Sequence, residues 1–111
     1  MRREERKAAI AAYKERKIVG GVYLIRCERS GEIWVGQWPD LDTIQNRIWF
    51  TLQQGAHPNQ DLQESWRQYG AEQFQFEVLE RIDNETTAYV RNATLKERAI
   101  HWQFSLNARS I

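Results

Sequence analysis

Gly20-Gly21-Val22-Tyr23-Leu24-Ile25-Arg26-Cys27-Glu28-Arg29-Ser30-Gly31-Glu32-Ile33-Trp34-Val35-Gly36 is the stretch on which the fold turns. β-Branched and aromatic residues fill 22–25 and 32–36, and Ser30-Gly31 between them supplies turn chemistry. Two such runs joined by a short glycine-containing turn predict an antiparallel hairpin.

Working outward, Pro39-Asp40 opens a helix capped by Asp40 or Asp42, with Leu41, Ile44, Ile48 and Leu52 on one stripe. Gly55 closes it. Asn59 caps a second helix that buries Leu62 and Trp66 and stops at Tyr69-Gly70. Residues 74–80 alternate and read as a third strand. After the turn Asp83-Asn84-Glu85, a long helix runs to about Leu106 with Leu95, Ala99, Trp102 and Leu106 on one stripe. Upstream, residues 3–17 are good helix formers around Ala8, Ala9, Ile10, Ala11, Ala12 and Tyr13. The order α-β-β-α-α-β-α predicts an α+β domain, a small antiparallel sheet flanked by helices.

At 111 residues the chain is one small domain, and 41% apolar residues argue against intrinsic disorder. No apolar run approaches the ~20 residues of a membrane helix, and the charged N-terminus has no secretory h-region. The lone Cys27 excludes an internal disulfide and reads as a buried structural thiol. The expectation is a reduced, cytoplasmic chain that engages no membrane. Thirteen aromatics, five of them Trp, supply core area or stacking surfaces for bases.

Charge is uneven. Residues 2–17 carry seven Lys/Arg, among them Arg2, Arg3, Arg6 and Lys7, against three Glu, while the whole chain has net charge +1. A basic arm on a near-neutral body suggests a polyanionic partner, unless it is simply a solvated helix. There is no phosphate-cradling glycine loop, no paired histidine and no nucleophile elbow. With only His57 and His101, an enzyme here must draw on Tyr, Arg, His and Glu, with or without a carboxylate-held hard cation. Such a set permits phosphodiester hydrolysis without demonstrating it.

Gly21-Val22-Tyr23 followed eleven positions later by Trp34-Val35-Gly36 resembles the paired triplets of the GIY-YIG nuclease family. The later series agrees: Gly55-Ala56-His57-Pro58-Asn59, Leu62-Gln63, Trp66, Tyr69-Gly70, the 74–80 strand, and Leu95-Lys96-Glu97-Arg98 before Trp102. The resemblance spans about residues 20–107. It implies a three-stranded antiparallel sheet flanked by helices over 20–111, preceded by an extra basic helix over 1–19.

The resemblance also implies DNA as the partner and hydrolysis assisted by one Mg²⁺ or Mn²⁺. Tyr23 keeps the first active-site hydroxyl. Trp34 replaces the second, keeping a ring for nucleic-acid contact but offering an N–H that accepts no proton. Counted without gaps, the family's phosphate-binding arginine falls on Ile44 and its metal-binding glutamate on Ala99. Arg47 lies three positions on, about 60° around a helix, and Glu97 two positions back, on nearly the opposite face. His57 matches a family position near the cleft.

The expected site is therefore Tyr23, Arg47, His57 and Glu97, with Glu97 as the metal ligand and Arg2, Arg3, Arg6, Lys7 and Trp34 contacting nucleic acid. Asn46 is a weaker polar candidate. One reading is a metal-dependent endonuclease whose catalytic groups have migrated. The alternative is a scaffold that lost hydrolysis and binds nucleic acid or a protein, and a third is a structural module.

Overall fold

The strand β1 (Gly20–Cys27) is covered on both sides and paired along both edges, and all of it except Arg26 is buried. A computed structural model describes residues 18–82 and 87–111. The expected basic N-terminal helix, with Arg2, Arg3, Arg6 and Lys7, and the 83–85 turn lie outside the described residues.

β1 pairs antiparallel with β2 (Ile33–Trp38), placing Tyr23 opposite Gly36 and Ile25 opposite Trp34. The turn between them carries Gly31 at φ 79°, a left-handed position suited to glycine. On the other edge, β1 pairs antiparallel with β3 (Phe74–Ile82). The pairing shifts at one point: Val22 faces Glu80 but Tyr23 faces Val78, leaving Leu79 as a bulge. Such bulges re-aim neighbouring side chains.

The helices are α1 (Leu41–Gln53), α2 (Gln60–Tyr69) and α3 (Ala88–Leu106). Asp40 caps α1 by accepting from the Asp42 N–H at 3.2 Å, and Asn59 caps α2 by accepting from Leu62 at 3.1 Å. Thr87 caps α3, and Asn107 ends it in the left-handed conformation.

Strand alternation divides the interior into two cores. Tyr23, Ile25, Cys27, Trp34 and Phe74 meet Leu41, Ile44, Ile48 and Leu52 of α1 and Leu62 and Trp66 of α2. On the opposite face, Val22, Leu24 and Val35 meet Ala99, Trp102 and Leu106 of α3.

The structure departs from the expected three-stranded sheet in one place. The sheet has a fourth strand, β4 (Arg109–Ser110), running parallel to β2 in the order β3-β1-β2-β4. Two residues are too few to show a period, and β4 is fixed by distant contacts: Arg109 pairs with Glu32 at 3.1 Å, and Asn59 donates to the Ser110 carbonyl. Trp34 has no exposed surface, so its ring is core and offers no face to nucleic acid. No described helix is long and apolar enough to cross a membrane.

Candidate functional site

The two glycines of the hairpin motif are there for close approach. A Cβ on Gly21 would run into the Glu80 carbonyl oxygen of β3 and lie 2.8 Å from the Leu41 side chain. A Cβ on Gly36 would lie 2.6 Å from the Tyr23 hydroxyl, because the tyrosine ring lies across that glycine. Phe76 stacks on the same ring, with centroids 5.2 Å apart and planes at 20°. Gly36 and Phe76 thus hold Tyr23 at the inner wall of a cleft.

That cleft, of about 830 Å³, runs along the β2 edge where β4 stops. One wall is α1, through Ile44, Arg47, Ile48 and Thr51, continued by His57 and Pro58. The other is α3, through Asn92, Lys96, Ala99, Ile100 and Gln103. Tyr23, Gly36 and Trp38 lie between them.

The Arg47 guanidinium sits 5.0 Å from the centre of the Trp38 ring, a cation–π contact, and has no acidic partner among the described residues. Half-buried His57 is held at two points. Its backbone N–H donates to Gln63 Oε1 at 3.0 Å, and Gln63 Nε2 donates to the Leu52 carbonyl at 3.1 Å, tying the loop to the end of α1. The imidazole Nδ1 accepts the Asn59 N–H at 3.0 Å, so the ring proton resides on Nε2. Burial lowers the His57 pKa below the usual imidazole value, so at neutral pH the ring is uncharged and offers Nε2–H as a donor.

Burial pushes the Tyr23 phenol up to about 12. Roughly one molecule in 10⁵ is a phenolate at pH 7, so Tyr23 acts as a hydroxyl donor and not as a ready-made base. Because the folded-state pKa lies above the unfolded value of 10.0, Tyr23 contributes stability that is whole below pH 10.0 and is lost as pH rises through about 12. Two units correspond to about 3 kcal/mol. Urea unfolding across that window should show the parent chain losing up to this much relative to Tyr23→Phe. Parallel curves would contradict a buried phenol.

The cleft therefore brings Tyr23, Arg47 and His57 together and leaves Glu97 out. Glu97, expected as a catalytic residue and metal ligand, is placed outside this lining by the setting of α3. Glu80 on β3 accepts from Arg98 Nε and Trp102 Nε1, both at 2.9 Å, and these bonds hold its carboxyl below the usual range, Arg98 contributing most. They turn Arg98 and Trp102 to the sheet, with Leu95 and Ala99 buried beside them. Glu97 then projects about 160° from Ala99 and is exposed to solvent.

Both positions reached by gapless counting, Ile44 and Ala99, do line the cleft, as aliphatic side chains. Asn46, the weaker candidate, is exposed on α1 and is not among the lining residues. Sequence reading missed Lys96, Asn92 and Gln103, although each lies within about 60° of Ala99 on an ideal helix. It also missed Trp38, which shares strand parity with Trp34 but sits at the sheet edge.

The residues present do not fit a Mg²⁺ or Mn²⁺ ion. Hard cations take carboxylate oxygens. No lining side chain among the described residues is a carboxylate, and Arg47 and Lys96 would repel a divalent ion. Among the described residues no three His, Cys, Asp or Glu side chains cluster as ligands.

No protein-family profile matches the chain, and no curated protein matches it. Solved structures do. The catalytic domain of the homing endonuclease I-TevI is similar at 26% identity and TM-score 0.69, covering 83% of this chain and 97% of that one. A point mutant of the catalytic domain of the intron endonuclease I-TevI matches at 28% identity and TM-score 0.68, covering 81% and 86%. The glycine-flanked tyrosine, the helices on both faces and this likeness agree, and the chain has the GIY-YIG-like fold of a nuclease catalytic domain.

Proposed function

We propose that the domain engages nucleic acid, DNA in the first instance, by seating a backbone phosphate in the cleft between α1 and α3. The carrying observation is that Arg47, neutral His57 and the Tyr23 hydroxyl line one hollow with no acidic side chain among its described residues. A guanidinium presents paired N–H donors that match two phosphate oxygens. His57 Nε2–H and the Tyr23 hydroxyl add neutral donors. The likeness to an endonuclease domain supports DNA as the polyanion. Arg2, Arg3, Arg6 and Lys7 fit the same reading as a second, sequence-independent contact.

Phosphodiester hydrolysis at this seat is the second reading, favoured by Tyr23 being kept across Gly36. A metal step through Glu97 is not part of it.

Labelled single- and double-stranded DNA and RNA, with and without Mg²⁺ or Mn²⁺, test both readings. Arg47→Ala should weaken binding about ten-fold, the loss of one charged hydrogen-bonding group. Removing residues 2–7 should flatten the salt dependence, the slope falling by about 0.9 for each phosphate that the arm no longer neutralises. Binding indifferent to Arg47 rejects the seat. Cleavage abolished by Tyr23→Phe would promote the hydrolytic reading.

A further inference from the structure

We infer that Lys96 supplies from within the chain the positive charge that a divalent cation brings to a metal-dependent cleft, so that this cleft holds a nucleic-acid phosphate without metal. The inference rests on the phosphate seat proposed above and adds a residue and a cofactor requirement to it.

Lys96 lies on α3 one turn before Ala99, about 60° away around the helix, and both line the cleft. Lys96 is exposed and has no acidic partner among the described residues. Three acids of the sheet and α2 are engaged with other groups: Glu80 with Arg98 and Trp102, Glu32 and Asp61 with Arg109. Glu97, adjacent in sequence, projects about 100° away and does not line the hollow.

Each wall of the cleft thus presents one cation, Arg47 from α1 and Lys96 from α3, with no acidic side chain among the described lining residues. Two like charges across a hollow repel each other and any third cation, and an anion between them relieves both effects. The two cations also differ in kind. The Arg47 guanidinium is planar and braced on Trp38, which gives direction, whereas an ammonium is a compact point charge on a flexible stem. A lysine can therefore follow a phosphate without demanding the octahedral oxygen shell that Mg²⁺ requires. Ala99 is small where a longer side chain would compete for the same space.

The test is fluorescence anisotropy of the full chain with a short labelled DNA duplex, and with the matching single strand, in EDTA and in Mg²⁺. The parent chain should bind equally well in the two buffers. Lys96→Ala should weaken binding about ten-fold and reduce the salt slope by about one, and Lys96→Arg should restore both. Because Lys96 is exposed, circular dichroism should show both variants folded. Binding that requires Mg²⁺, or that ignores Lys96→Ala while falling with Arg47→Ala, overturns this inference and leaves the phosphate seat standing. No binding by the parent chain in either buffer overturns the seat and this inference with it.

Discussion

Gly21→Ala should be the most damaging single-methyl change in the chain, lowering stability by about 3 kcal/mol or more. The added carbon meets the backbone carbonyl of Glu80, which cannot rotate aside as a side chain would. Relief requires β1 and β3 to separate where the Leu79 bulge already interrupts their pairing. Overpacking of a tight interior costs about 1–3 kcal/mol when side chains can move, and a rigid carbonyl puts this site at or above that range. Gly31→Ala is the control. Its φ of 79° disfavours a side chain, but no atom of the described residues lies within 4 Å of the added carbon, so about 1 kcal/mol is expected. Chemical denaturation of both variants decides the matter, and similar losses at the two positions would contradict the close approach.

Trp34→Ala comes next, with an expected loss of about 3–5 kcal/mol from an emptied ring site. The ring is fully buried, packed beside Phe74 at a centroid distance of 6.3 Å. Its indole N–H is also buried and has no hydrogen-bond partner among the described residues. A buried donor left unpaired costs about 1–3 kcal/mol, a cost that the folded chain already carries. Trp34→Phe removes that donor along with part of the ring volume. The two effects oppose, and Trp34→Phe should fall within about 1 kcal/mol of the parent. DNA binding by Trp34→Phe should match the parent. A large binding loss with unchanged stability would return Trp34 to the contact surface.

How much of this was legible in the sequence differs between fold and site. The hairpin, the three described helices and two of their caps follow from local signals: β-rich runs around Ser30-Gly31, the Leu41-Ile44-Ile48-Leu52 stripe, and Asp40 and Asn59 at helix starts. β4 was not legible, because two residues carry no period and their partners are remote in sequence. Trp34 shows the limit of alternation, which says that Trp34 and Tyr23 share a face but not that α1 and α2 cover it.

For the site, gapless counting leads to Ile44 and Ala99, which are buried aliphatic residues at the cleft wall. It could not fix the azimuth of α3, which is set by Glu80 bonding to residues 18 and 22 positions further along the chain. With that contact invisible in the sequence, Glu97 is the carboxylate close at hand, and Lys96 beside it reads only as part of the motif.

The division of the interior by the sheet has a mechanical result. The arginine-bearing wall of the cleft is anchored in one core and the lysine-bearing wall in the other, with a single layer of strands as their shared foundation. Trimming Leu52 should let the first wall drift while the second keeps its place, and trimming Leu106 should do the reverse. The spacing between the two charges is thus adjustable from either side, by changes that touch neither of them.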